Sequence, residues 1–288
     1  MTQPLPELPR LLVDQAVKAA LLEDLGRAGD ITSQATIPED AQARASLVAR
    51  QSGVIAGIDL VISAFCQSDP DFQIDVLEDD GTEVQPGSVV ATIEGPARAL
   101  LSAERVALNF LGHLSGIATA TRQFARKIEH TSCKVVCTRK TTPGLRAFEK
   151  YAVRCGGGAN HRFGLDDAIL IKDNHIAVAG DVVTAIERAR AFAGHLVRIE
   201  VEVDTLEQMK EALTAKPDVI MLDNMGPERL QEAVALNSGQ AILEASGGIN
   251  LDTVQAIAES GVDLVSTGWI THSAPVLDLG LDIKIAGT

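Results

Sequence analysis

Six short apolar segments recur in the second half of the sequence, and most of the intervals between them repeat apolar positions at helical spacing. Strands that alternate with helices and are almost continuously apolar are typical of a parallel sheet covered by helices. The predicted strands are KVVCT, AILIKD, VRIEVEV, DVIMLD, AILEAS and DLVST, and the predicted helices cover residues 143–155, 180–193, 205–215, 226–237 and 250–260.

The first part of the sequence has a different pattern. One helix is predicted over residues 11–25 and a longer one over residues 102–129. Between residues 41 and 100, short segments with partial alternation are separated by turns rich in Gly, Pro and Asp, which is typical of antiparallel strands.

Together the two patterns predict an α/β protein with an incomplete, TIM-like βα barrel and an N-terminal α+β domain. The N-terminal domain is predicted at residues 1–114 and the barrel at residues 115–272. The C-terminal tail, residues 273–288, is expected to pack back on the N-terminal domain.

The composition is that of a soluble globular protein, with 46% hydrophobic and 22% charged residues. A formal net charge of −14 disfavours a nucleic-acid-binding surface. No apolar run reaches the ~18 residues that a membrane span requires, and no signal peptide is recognisable. The four cysteines have neither a CxxC pair nor the spacing of a zinc site. We therefore expect a cytoplasmic protein with reduced thiols that binds neither nucleic acid nor a membrane.

Polar residues stand where the predicted strands end. In a βα barrel these strand ends all lie at one mouth, where active sites are found. In an open doubly wound sheet they would instead be spread along an edge. In chain order the strand ends carry Thr138, Arg139 and Lys140; Lys172; Glu200 and Glu202; Asp223; Glu244 and Ser246; and Ser266, Thr267 and Gly268.

The first group at this mouth is cationic and consists of Arg139, Lys140, Arg162 and Lys172. Arginine binds planar carboxylates through two parallel hydrogen bonds, and lysine supplies a point charge. Judged by charge alone, the basic stretch at residues 137–162 would be a solvated helix face. Several cations in one pocket repel each other, so the grouping favours a ligand of high negative charge.

The second group consists of the carboxylates Glu202 and Asp223. Beside a phosphorylated substrate these acids would be repulsive unless a cation such as Mg²⁺ bridges them, directly or through water or substrate oxygens. The alternative for each acid is a simple ion pair with a pocket lysine.

The third group comprises two small-residue turns, Ser246-Gly247-Gly248 and Ser266-Thr267-Gly268. Glycines allow backbone N–H groups to approach a phosphate, and the start of the following helix favours negative charge. One such turn is a weak signal, but two in successive late strands indicate a phosphate site.

Six stretches of the sequence match the motifs of one family: TRKTTPGLRAFEKYAV, GGGANHRFGLDDAILIKDNHI, IEVEV, MLDN, EASGGI and STGWITHSAPVLDLGLDI. Through them the chain resembles the quinolinate phosphoribosyltransferases, the carboxylating nicotinate-nucleotide pyrophosphorylases, from its N-terminal helix to its last few residues.

The resemblance implies a pentosyltransferase that joins quinolinate to 5-phosphoribosyl-1-pyrophosphate in de novo NAD biosynthesis. The products would be nicotinate mononucleotide, pyrophosphate and CO₂. It also implies Mg²⁺ without an organic cofactor, and a homodimer or dimer-based oligomer with shared active sites.

Residue by residue, the resemblance implies three sets of contacts. Quinolinate would be held by Arg139, Arg162 and Lys172, with His161 and Thr138 in the same wall and Arg105 added from a neighbouring subunit. Lys140, Glu202 and Asp223 would face the ribose and pyrophosphate as catalytic residues, the acids through Mg²⁺. The 5-phosphate would be held by Ser246, Gly247, Gly248, Ser266, Thr267 and Gly268. No chemical role is expected for His113, His130, His195 and His272.

Two alternatives stay open at the sequence level, and a third is set aside in favour of a structural hairpin. A barrel lyase could form a Schiff base through Lys172 or Lys140. A related phosphoribosyltransferase-like protein of molybdate transport would carry similar motifs. A carrier module is suggested by residues 81–95, which resemble a biotinyl or lipoyl hairpin, but residues 51–97 contain no lysine to modify.

Overall fold

The structure, a computed structural model, describes residues 5–285. Its helices are α1 Arg10–Leu25, α2 Ile31–Thr36, α3 Ile58–Ser68, α4 Ala97–Lys127, α5 Arg146–Cys155, α6 Asp173–Ala179, α7 Val182–Phe192, α8 Leu206–Thr214, α9 Pro227–Asn237, α10 Val254–Ala258 and α11 Trp269–His272. Its strands are β1 Gln42–Ala49, β2 Gly53–Val54, β3 Gln73–Val76, β4 Glu83–Val84, β5 Val89–Pro96, β6 Lys134–Val136, β7 Ile169–Ile171, β8 Ile199–Val203, β9 Val219–Asp223, β10 Ile242–Ser246, β11 Leu264–Ser266 and β12 Leu279–Ile285.

Contacts along the chain divide it into two compact units. The first contains the residues up to Ala120, the segment Ala147–Gly157 and the residues from Ala274 onward, and the second contains Thr121–Arg146 and Gly158–Ser273. The segment Ala147–Gly157 thus lies in the first unit, although it falls inside the range 115–272 that the sequence assigned to the barrel. Of the predicted tail, residues 286–288 lie outside the described part of the chain.

The first unit is built on an antiparallel sheet in the order β12-β1-β5-β3. Strand β1 pairs with β12 from Ala43 opposite Ile285 to Ala49 opposite Leu279, so the end of the chain forms an edge of this sheet. Helix α1 buries Val13, Val17 and Leu21, which repeat at a spacing of four residues and form one apolar face.

Two glycines in the long helix α4 allow another segment of the first unit to approach the helix backbone. A Cβ atom on Gly116 would lie 2.1 Å from the carbonyl oxygen of Pro275, and one on Gly112 would lie 3.0 Å from that of Leu277. Leu277 also donates its N–H to the Gly112 carbonyl at 3.0 Å. Glycine weakens a helix interior by roughly 1 kcal/mol, and here the close contact explains its presence.

The second unit contains a parallel sheet of six strands in the order β6-β11-β10-β9-β8-β7. All six strands were predicted from the apolar segments, and helices follow most of them, which confirms the predicted fold class. Strands β6 and β7 are the two edges of the sheet, and at the β6 edge Ala159 forms a parallel bridge with Val136. Buried residues such as Val201, Ile220 and Val265 fill the strand interiors.

The helix predictions were correct in position but not always in extent. The helix predicted over residues 143–155 begins at Arg146, and that predicted over 250–260 is limited to α10. Helix α6 was not predicted, because it is short and its amphipathic pattern is weak; it contains no buried residue. Among the described residues, no helix combines the length and apolar character that a bilayer crossing requires.

Candidate active site

A cavity of about 760 Å³ opens at the carboxyl ends of the strands of the second unit. All six strands, or the residues that directly follow them, contribute to its lining. The sequence-predicted site residues that line it are Thr138, Arg139, Lys140, His161, Arg162, Lys172, Glu202, Asp223, Ser246, Gly247, Gly248, Ser266, Thr267 and Gly268. The cavity therefore brings together the three chemical groups that the sequence placed at one mouth.

Arg105 is the one predicted site residue that does not line this cavity. It lies in helix α4, in the first unit, with its side chain exposed. Its assignment to a neighbouring subunit's site stays a prediction.

Arg139 and Arg162 are near enough for their like charges to interact. Arg162 donates from Nη1 to the Ala168 carbonyl at 3.1 Å. Burial and the nearby Arg139 charge lower the pKa of Arg162, while Glu200 and Asp167 partly offset that effect. The repulsion between the two guanidinium groups would be relieved by a bound anion, and their planar donors fit carboxylates.

Lys172 is positioned at the start of helix α6. Its backbone N–H donates to Nδ1 of His175 at 2.9 Å, which satisfies a donor at the beginning of the helix. Its ammonium group forms an ion pair with Glu202. The sequence left open an ion pair with a pocket lysine for each acid, and Glu202 forms such a pair.

Asp223 lies in a crowded negative environment. Burial raises its pKa, and the charges of Glu202 and Asp204 raise it further, while Lys172 and Lys140 act in the opposite direction. A divalent cation between Glu202 and Asp223 would relieve this repulsion, and two carboxylates completed by substrate oxygens are a common Mg²⁺ site. The carboxylates at this position therefore fit the metal that the sequence predicted.

The first small-residue turn has a backbone conformation that favours glycine, and the second has a glycine beside a lysine side chain. Gly247 has φ +90° and Gly248 has φ +64°, in the left-handed region that favours glycine. A Cβ atom on Gly268 would lie 2.8 Å from Cδ of Lys140. Glycine at 268 therefore leaves space for the lysine at the cavity wall.

A second acidic cluster was not predicted as part of the site. Nε2 of His161 lies 2.8 Å from Oε2 of Glu200 and 3.8 Å from Oε1 of Glu244. Both carboxylates are buried, and Glu244 lines the cavity. Oε1 of Glu200 and Oε1 of Glu244 have no hydrogen-bond partner among the described residues. The signal in the sequence was the presence of glutamates within apolar strands, two in IEVEV and one in AILEAS.

The ligand atoms of this cluster lie within 4.8 Å of one another, close enough to surround a metal ion. Nδ1 of His161, however, accepts the backbone N–H of Arg162 at 2.7 Å, so the ring hydrogen of a neutral imidazole lies on Nε2 and points to Glu200. Burial and the nearby Glu200 charge raise the pKa of Glu244 to about 7. With Nδ1 occupied by the Arg162 N–H and the Nε2 hydrogen directed to Glu200, His161 offers no free lone pair to a metal ion.

Two further lining residues had been given no role. His272 is exposed, and its Nδ1 lies 2.6 Å from Oγ of Ser273. Trp269 packs against Phe124 with their ring centroids 6.0 Å apart. No chemical role was expected for His272, and its side chain is part of the cavity lining.

Comparison with known proteins now identifies the family. Residues 30–115 match the N-terminal domain of quinolinate phosphoribosyl transferase, and residues 117–282 match its C-terminal domain. The chain belongs to the quinolinate phosphoribosyl transferase family. The resemblance inferred from the sequence is therefore confirmed.

Similar proteins cover nearly the whole chain. A probable nicotinate-nucleotide pyrophosphorylase (carboxylating) of Bacillus subtilis is 46% identical over 265 residues, or 92% of this chain and 91% of that protein. The nicotinate-nucleotide pyrophosphorylase (carboxylating) of Mycobacterium leprae is 44% identical over 275 residues, or 93% and 95%. The solved structure of NadC from Streptococcus pyogenes covers 97% of this chain and 99% of its own, with 43% identity and a TM-score of 0.94.

Proposed function

We propose that the cavity joins quinolinate to 5-phosphoribosyl-1-pyrophosphate and forms nicotinate mononucleotide, pyrophosphate and CO₂, a step in the synthesis of NAD. The observation that carries this proposal is the set of residues that line one cavity. Its guanidinium groups fit a dicarboxylate, while its lysines, carboxylates and glycine turns fit a metal-bound diphosphate and a phosphate. Membership of the quinolinate phosphoribosyl transferase family supports the same activity.

Quinolinate is assigned to the arginine side of this residue set. Arg139 and Arg162 would bind its two carboxylates, and Lys172 would add a third positive charge. His161 contacts Glu200 and the Arg162 backbone, and these contacts orient its ring within this wall. A monocarboxylate would leave one of these cations without a partner.

The phosphoribosyl substrate is assigned to the part of the cavity lined by the two glycine turns, a lysine and the two carboxylates. The turns at residues 246–248 and 266–268 would hold the 5-phosphate through backbone N–H groups. Lys140 would face the pyrophosphate, and Glu202 and Asp223 would hold Mg²⁺ together with substrate oxygens. When bound, Mg²⁺ neutralises negative charge on the pyrophosphate leaving group.

The chemistry then depends on alignment and charge. The ring nitrogen of quinolinate bonds to C1 of the ribose as the bond from C1 to pyrophosphate breaks, and the carboxylates of Glu202 and Asp223 offset the positive charge that develops on the ribose. The ring nitrogen becomes positive. The adjacent carboxylate leaves as CO₂, its bonding electrons remain on the ring carbon beside the positive nitrogen, and a proton takes its place.

The pairing of Lys172 with Glu202 argues against a Schiff base on Lys172, one of the two lysines considered for that alternative. An ammonium ion held by a carboxylate has no lone pair with which to attack a carbonyl. Lys172 is accordingly assigned to substrate binding.

A dimer with shared sites is part of the proposal. Arg105 is exposed on helix α4 and would reach the quinolinate site of a second copy of the chain. In a two-fold dimer each subunit makes the same contribution to its partner, so both sites would be completed in the same way.

The deciding experiment combines the purified protein with quinolinate, 5-phosphoribosyl-1-pyrophosphate and Mg²⁺. We expect equal amounts of CO₂, pyrophosphate and nicotinate mononucleotide, each measured separately. The Lys140→Ala variant should lose most of this turnover, whereas Lys134→Ala, an exposed lysine on β6, should retain it. Absence of product from folded protein would overturn the proposal.

A further inference from the structure

Asn224 has a backbone conformation that residues other than glycine rarely adopt. Its φ angle is +55°, and among the described residues only Lys216 and Ser238 share a positive φ without being glycine. Of these three, Asn224 alone lines the active-site cavity. Strained conformations persist where surrounding contacts determine them, and they concentrate at functional sites.

Three contacts hold Asn224 in this conformation. Its backbone N–H donates to the Ser246 carbonyl at 2.8 Å, which extends the pairing of β9 with β10 by one residue. Its side-chain Nδ2 donates to Oδ2 of Asp223 at 2.5 Å. Its Oδ1 rests against Gly247, where an added Cβ atom would lie only 2.1 Å away.

These contacts join two parts of the site that come from different strands. On one side is the Asp223 carboxylate, which lies close to the charges of Glu202 and Asp204. On the other side is the turn at residues 246–248. The amide of Asn224 reaches both groups from a backbone in the left-handed conformation.

We propose that Asn224 is a positioning residue that fixes the Asp223 carboxylate relative to the phosphate-binding turn, and that it thereby sets the affinity for the phosphoribosyl substrate. The inference rests on the proposed function. It also explains why position 247 requires glycine beyond its φ angle: a larger residue would displace the Asn224 amide from Asp223.

The test uses Asn224→Gly, which keeps the left-handed backbone and the bond to Ser246 but removes the amide. Ser238→Gly is the matched control, because it removes a side chain from an equally left-handed position away from the cavity. Calorimetric titration with 5-phosphoribosyl-1-pyrophosphate and Mg²⁺, without quinolinate, measures the dissociation constant. Quinolinate binding and the urea midpoint of unfolding are measured alongside.

For Asn224→Gly we expect binding of the phosphoribosyl substrate to weaken by about tenfold, as for the loss of a hydrogen bond to a charged group. Quinolinate binding and the unfolding midpoint should stay close to wild type, as should all three measurements for Ser238→Gly. Asn224→Asp should weaken binding further, because a second carboxylate cannot donate to Asp223 and repels it.

Unchanged binding of the phosphoribosyl substrate by Asn224→Gly would overturn the inference. An equal loss of quinolinate binding, or a lowered unfolding midpoint, would assign Asn224 a general structural role and overturn it as well. If the wild-type protein itself binds no phosphoribosyl substrate under these conditions, the proposed function fails, and the inference fails with it.

Discussion

His161 donates from Nε2 to the buried carboxylate of Glu200 across 2.8 Å. Because its other ring nitrogen accepts the Arg162 backbone N–H, the imidazole is held in one tautomer and one orientation. The quinolinate wall thus combines the two arginines with an imidazole that Glu200 and the Arg162 backbone hold in place.

The neighbouring Glu244 predicts a pH dependence of stability. Its pKa is raised to about 7 in the folded protein, so between its ordinary pKa of 4.5 and pH 7 the unfolded chain releases a proton that the folded chain retains. Ionisation therefore favours the unfolded state across this window, and stability present at low pH is lost by up to about 3 kcal/mol as pH rises.

Glu244→Gln should remove this loss, since glutamine does not titrate. We expect the free energy of unfolding in urea to fall less for the variant than for wild type between pH 5 and pH 8. Glu232→Gln, on an exposed face of α9, serves as the control and should follow wild type. Parallel pH profiles for all three proteins would contradict the retained proton.

The arginine pair predicts selectivity for two carboxylates. Nicotinate has one, and binding it would leave either the exposed Arg139 or the partly buried Arg162 without a carboxylate partner. We expect kcat/KM for nicotinate to lie at least about a hundredfold below that for quinolinate. Comparable turnover of the two acids at equal concentration would show that the arginines do not select for the second carboxylate.

Glu202 and Asp223 predict dependence on a divalent metal. Treatment with EDTA should abolish turnover, and added Mg²⁺ should restore it. Glu202→Gln and Asp223→Asn should lower kcat by about a hundredfold or more while quinolinate binding changes little. Calorimetry measures that binding, and full activity in EDTA is the result that would remove the metal from the mechanism.

Arg105 predicts complementation between inactive subunits. Arg105→Ala and Lys140→Ala should each be nearly inactive, but a mixed dimer would carry one site with both wild-type residues. With random exchange, half of the dimers are mixed and each has one intact site of two, so activity should recover to about a quarter of normal.

Two controls make this result decisive. Subunit exchange is followed by mass spectrometry of differently tagged chains. In a control mixture, Arg27→Ala takes the place of Arg105→Ala, because Arg27 is another exposed arginine of the first unit. A mixture that exchanges subunits yet stays inactive would show that Arg105 does not act across an interface.

Local sequence patterns were sufficient for much of this structure. The apolar segments identified all six strands of the parallel sheet, and strand ends such as Thr138, Glu202 and Asp223 do line one cavity. Periodicity works at this level because burial of a strand or helix face constrains residues only a few positions apart. The residue types at the strand ends, together with the family motifs, were enough to indicate the chemistry.

Tertiary structure decided which distant groups touch. Glu200 on β8 and Glu244 on β10 both lie close to His161. Asn224 likewise links Asp223 to Gly247. The order of the strands in the sheet brings these residues together. Segment Ala147–Gly157 likewise packs in the first unit although the barrel sequence surrounds it. The sequence by itself determined the elements and the polar residues at their ends, since these depend on near neighbours. The protonation state of Glu244, the tautomer of His161 and the strain at Asn224 depend on contacts between residues far apart in the chain, which only the folded structure specifies.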